Sequence, residues 1–171
     1  MGTVAQLGVL LLSAAILLTG NGLQTTLLPL AAEAEGFRAL SIGIMGSSYF
    51  LGFLAGCLTT PNLVRTVGHI RVFTAMAAVA SVVPLLHVLS AQDWTWWLLR
   101  VATGFCMASL FLVIESWLNA RTDSAMRGTV FSTYTSLTFG AIILGQILLT
   151  LYDPTAVAPF LDEAASTGIA A

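Results

Sequence analysis

Residues 94–127 read WTWWLLRVATGFCMASLFLVIESWLNARTDSAMR, and this stretch decides the fold. It opens on Trp94, Trp96 and Trp97 and closes on Trp117, Arg121 and Arg127. From Trp97 to Trp117 the chain advances 20 residues, ~30 Å as a helix, which matches the hydrocarbon thickness of a bilayer. Aromatic side chains gather at membrane interfaces and arginines on the cytoplasmic side, so the stretch reads as one complete crossing. Within it sit Arg100 and Glu115. A charge at the centre of a spanning helix costs about 2.5–3.5 kcal/mol on insertion scales, which makes these two the first candidates for function.

Composition agrees with a membrane class. The 171 residues are 57% hydrophobic and 8% charged, with a mean hydropathy of +0.93, whereas soluble domains carry about 25% charged residues. Net charge is −2 and all basic residues are arginine, which leaves nothing basic enough for nucleic acid. Cys57 and Cys106 lie in apolar segments without CxxC spacing and read as packing residues. No Lys or Arg precedes the apolar run from Leu7 and no small-residue cleavage site follows it, so a retained first helix is expected rather than a signal peptide.

Five segments are long enough to span, at about 7–30, 40–60, 72–89, 94–118 and 129–151. Their apolar runs are continuous rather than alternating, which favours helices over a barrel. The expected architecture is an all-α polytopic membrane bundle over 1–154, followed by a non-spanning acidic tail at 155–171. The sequence PNLVRTVGHIR, with His69, reads as the loop between the second and third helices. Arg65, Arg71, Arg121 and Arg127 then fall on one side of the membrane, against Arg38 alone on the other. That bias predicts a cytoplasmic N-terminus.

Polar residues inside the spans are the remaining candidates. Asn21, Gln24 and Thr25 share a face of the first helix, and read either as a cavity lining or as interhelical hydrogen-bonding groups. Ser48, Gly52 and Gly56 form a small-residue stripe for close helix approach. In the fourth helix Arg100, Gly104, Met107, Phe111 and Glu115 lie within about 80° of one another. Arg100 either snorkels outward or faces a polar cavity as a partner for an anion. Glu115, near Arg121 and with Arg65 entering from the preceding loop, reads as part of a cytoplasmic gate or as a solvated interfacial carboxylate. Gln146 is expected to face protein or a cavity, because a buried amide needs a partner. No HExxH, GxSxG, Walker or GxGxxG pattern occurs, so an enzyme, a metal site and a cofactor are not expected.

Three stretches together resemble the major facilitator superfamily of transporters over residues 1 to about 154. GCLTTPNLVRTVGHIR at 56–71 resembles its cytoplasmic signature loop, although no acidic residue lies between Gly56 and Arg71. Arg100-xxx-Gly104 is similar to its Arg-xxx-Gly in the fourth helix. ESWLN at 115–119, with Arg127 and Gly145-Gln146, resembles a bacterial subgroup. The resemblance implies five helices of an N-terminal six-helix half, and secondary transport of a small solute by alternating access in the inner (plasma) membrane. It makes Asn21, Gln24, Arg100 and Gln146 the cavity candidates, and Arg65, Arg71, Glu115, Arg121 and Arg127 the gate candidates. It further implies that the chain is incomplete, either one part of a transporter or a non-transporting half-module or inactive transporter fragment that needs a partner chain such as a complementary C-terminal half.

Overall fold

Five helices make up the described part of the computed structural model, which comprises residues 2–90 and 92–151, with side chains for 11–90 and 92–149. They are α1 (Gly2–Ala34), α2 (Ala39–Val67), α3 (His69–Val88), α4 (Asp93–Arg121) and α5 (Arg127–Leu151). Each contains a stretch long and apolar enough to cross a membrane, with mean hydropathy from 1.3 to 1.9. No strand occurs among the described residues. A helix satisfies its own backbone, which a bilayer requires of any segment that crosses it. The chain is therefore an all-α, multi-pass membrane protein. The tail expected at 155–171 lies outside the described residues.

The helices run longer than the sequence reading placed them. Pro61 was expected to end the second helix. Instead α2 continues through it to Val67, and His69 is not in a loop but opens α3. Pro29 and Pro84 also lie within helices. Proline removes one backbone donor, and spanning helices tolerate it where local adjustments satisfy the freed carbonyl. The connection between α2 and α3 is thus Gly68 alone, at φ 89°, a conformation that side chains oppose. Its N–H closes α2 on the Val64 carbonyl, 3.0 Å away.

The chain divides into two compact units, and α4 contributes to both. One comprises residues 29–113 and the other residues 1–28 with 114–153. The apolar window of α4 is 56% buried, against 17–28% in the other helices, so α4 is the most enclosed element. Outward side chains elsewhere are large and apolar, among them Phe50, Leu58 and Leu85, as expected of a surface that meets lipid or further protein.

In the 29–113 unit the small-residue stripe of α2 is its packing face. Ser41, Met45, Ser48, Gly52, Gly56 and Thr60 are all buried. A side chain at Gly52 would strike the Val101 carbonyl, and one at Gly56 would come within 2.7 Å of the Phe105 carbonyl. The α2 and α4 backbones therefore touch. Thr60 and Ser109, both fully buried, join the helices through hydroxyls 2.7 Å apart. Ser109 donates to the Phe105 carbonyl at 2.8 Å, so Thr60 is the donor between them. Cys57 and Cys106 are free thiols.

In the other unit α1 and α5 meet in the same way. A side chain at Gly22 would lie 2.5 Å from the Ile142 carbonyl, and one at Gly145 would strike the Thr19 carbonyl. Gly22 is thus a packing notch, whereas Gly20 faces open space. Leu18, Ile114, Leu118, Tyr134 and Ala141 complete this core.

Candidate functional site

The α2–α4 contact explains the Arg-xxx-Gly spacing. Gly104 admits the backbone of α2 so closely that the Tyr49 carbonyl abuts it. One turn earlier on α4, the Arg100 guanidinium carbon sits 4.6 Å from the centroid of the Tyr49 ring. The glycine lets Tyr49 come near, and the arginine takes up its aromatic face.

Arg100 is 6% exposed, so its side chain does not run outward to an open end. Nε and Nη1 are buried and have no hydrogen-bond partner among the described residues. The cation–π contact contributes about 0.5–2 kcal/mol. Each buried donor left unpaired costs about 1–3 kcal/mol, more when charged. Stability alone gives no reason to keep this charge here, and buried charges in spanning helices are characteristic of functional sites.

The end of the unit around Arg100 is aromatic and ordered. Trp96, one turn before Arg100, is 3% exposed; Phe37 and His87 pack edge-on against it at 5.0 and 5.2 Å. Its indole N–H donates to the Ser90 carbonyl at 2.6 Å. Trp97 donates to the Ser41 carbonyl of α2 at 3.1 Å. Both were expected as an interfacial belt. Trp96 and Trp97 are packing and hydrogen-bonding anchors, and of the three neighbouring tryptophans Trp94 is the exposed one. His87 is 4% exposed.

In the other unit, Gln24 is buried, and both Gln24 Nε2 and Asn21 Oδ1 lack a partner among the described residues. They are three residues apart on α1, on adjoining turns of one face. Thr25, expected on that face, is exposed and donates to the Asn21 carbonyl at 2.8 Å. Gln146 was expected to be enclosed. It is exposed, beside Gly145, whose own side packs on α1. The four expected cavity residues thus fall into two groups, Arg100 in one unit and Asn21, Gln24 and Gln146 in the other.

The expected gate residues also divide. Arg65 in the last turn of α2 and Arg71 in the first turn of α3 are exposed on either side of the Gly68 turn. Glu115 is half-buried and within electrostatic reach of the buried Tyr134 of α5. Arg121 closes α4 with its guanidinium carbon 4.7 Å from the Trp117 ring, and Arg127 opens α5, exposed. Tyr49, His87 and Tyr134 are the residues that sequence reasoning did not assign. Each is a polar ring inside an apolar run, which is the one signal that could have marked them.

Comparison with known proteins extends this. The Major Facilitator Superfamily profile matches residues 10–160. The chain is 30% identical over 151 residues to the uncharacterized MFS-type transporter YcaD of Escherichia coli (strain K12), covering 88% of this chain and 40% of that protein. Against YcaD of Escherichia fergusonii it is 32% identical over 142 residues, covering 82% and 37%. It therefore spans about two fifths of the length of the curated relatives it matches. No solved structure matches the chain.

Proposed function

The chain belongs to the Major Facilitator Superfamily, and from that premise we propose that it forms part of a bacterial inner-membrane secondary transporter that moves a small solute by alternating access. The observation that carries this reading is Arg100, a buried guanidinium under Tyr49 with two unpaired nitrogens in a largely apolar span. A residue so placed costs stability unless a partner arrives, and a solute that comes and goes supplies one. Asn21 and Gln24 of the other unit, with unpaired buried amide atoms, are separate candidates for contact with the solute. Sites of this kind lie near the midplane between two six-helix halves. A complementary C-terminal half is accordingly the proposed protein partner.

The arginine bias orients the chain with its N-terminus in the cytoplasm. On that orientation Arg65, Arg71, Glu115, Arg121 and Arg127 belong to the cytoplasmic gate, where charged contacts that break and re-form distinguish two states. Glu115 of ESWLN supplies the gate's carboxylate, since residues 56–71 of this chain carry no acid.

Solute flux into proteoliposomes tests the reading. The chain is reconstituted alone and together with a second chain that supplies the remaining length of its relatives, and both are offered a panel of labelled small solutes. Saturable uptake in either preparation is expected. Uptake equal to that of empty liposomes in both would overturn the transporter assignment.

A further inference from the structure

His87 and Arg100 are two buried, incompletely bonded groups at one end of the 29–113 unit. Their geometry constrains what they can bind. Nδ1 of His87 lies 2.9 Å from the Val83 carbonyl. A carbonyl oxygen only accepts, so Nδ1 carries the hydrogen, and in the neutral ring Nε2 is a bare acceptor. That Nε2 is buried and has no partner among the described residues. The ring is held edge-on against Trp96 at 5.2 Å and 76°. Trp96 and Arg100 are four residues apart and share a face of α4. His87 and Arg100 are within electrostatic reach of each other.

The site thus presents guanidinium donors that need an acceptor, within electrostatic reach of an imidazole nitrogen that can take a proton. A carboxylate and one proton meet both needs at once. From this we infer that His87 and Arg100 form a proton-coupled anion site: a small monocarboxylate binds the free N–H groups of Arg100, and its arrival brings a proton onto Nε2 of His87. The protonated Nε2 then donates to the same anion. Anion and proton both enter from the aqueous phase and leave to it, and no covalent bond changes. The site carries one positive charge when empty, on Arg100. It carries the same net charge when loaded, because the carboxylate and the imidazolium proton cancel. A loaded and an empty site are then alike in the charge they present to the membrane field.

Other charged and titratable groups lie at the margin of this site. Tyr49 of α2 stacks on the guanidinium. Asp93 begins α4 and is half-exposed, and Glu33, Glu35 and Arg38 flank Phe37, which packs on Trp96. None of these four is buried. The proposal rests on the transporter reading only for its purpose, by naming the class of solute and the coupling ion.

Nitrogen NMR of the chain in lipid nanodiscs, with 15N-labelled histidine and acetate as the probe, tests it. His69→Gln assigns the two histidine signals. Near neutral pH the His87 Nε2 resonance is expected to move from that of a bare ring nitrogen to that of a protonated one as acetate is added. Chloride at equal ionic strength should leave it unmoved. Arg100→Lys should raise the acetate needed by about tenfold or more, since a charge-assisted hydrogen bond is altered, and Arg100→Gln should remove the response. An Nε2 signal indifferent to acetate in the native chain would overturn the proposal, as would a full response in Arg100→Gln. The native comparison of acetate with chloride decides even where a variant fails to fold. Acetate-driven protonation in a chain that moves no solute would uphold the site while the transporter reading fails alone.

Discussion

The Tyr49 ring lies 4.6 Å beneath the Arg100 guanidinium carbon, while the Tyr49 backbone carbonyl abuts Gly104 one turn along α4. Side chain and main chain of one α2 residue thus engage both ends of an Arg-xxx-Gly spacing. Tyr49→Phe keeps the aromatic face and should retain more of the native stability than Tyr49→Leu. Tyr49→Leu should cost about 0.5–2 kcal/mol, read as a lower midpoint of unfolding in mixed micelles followed by tryptophan emission.

Gly104→Ala places a methyl group against the Tyr49 carbonyl and must push α2 from α4. A loss of about 1–3 kcal/mol is expected from such overpacking. Gly46→Ala, where nothing lies within 4 Å of the added atom, is the control and should be neutral or slightly stabilising. Equal losses in the two variants would remove close backbone approach as the explanation.

Thr60→Val deletes the donor of the buried hydroxyl pair with Ser109. Interhelical hydrogen bonds in membrane proteins average about 0.6 kcal/mol, so a small loss is expected. A double-mutant cycle with Ser109→Ala should return a coupling of about that size. A coupling of zero would show that the two hydroxyls are merely neighbours.

Reporter fusions at Gly68 and Ser124 should be active as cytoplasmic reporters, and a fusion at Gly36 as an external one. The basis is the excess of arginine around the first two sites. The reverse pattern would invert the proposed orientation and move the gate residues to the other face.

Much of this architecture was legible from residues alone because its signals are local. Apolar length marked α4 as a spanning helix, and the spacing of Ser48, Gly52 and Gly56 marked a face for close approach. The Pro61 ending failed because the rule that proline stops a helix holds in water more firmly than in a spanning segment. Arg100 was visible as a costly charge, but its two readings differed only in where its side chain goes. That depends on Tyr49, which lies 51 positions earlier in the chain. His87 and the packing partners of Trp96 were hidden for the same reason. Partners distant in sequence leave no periodic trace, so an isolated ring in an apolar helix looks like any other core residue.

The central claim is that Arg100 lies on a solute path rather than in lipid or in a closed core. With Cys57 and Cys106 replaced by alanine, Arg100→Cys can be exposed to a charged, membrane-impermeant thiol reagent from each side of the membrane in turn. Labelling of Cys at this position from both sides is expected, in the transporter assembled with its complementary half. Protection from both sides, with modification only by a lipid-soluble reagent, would contradict it.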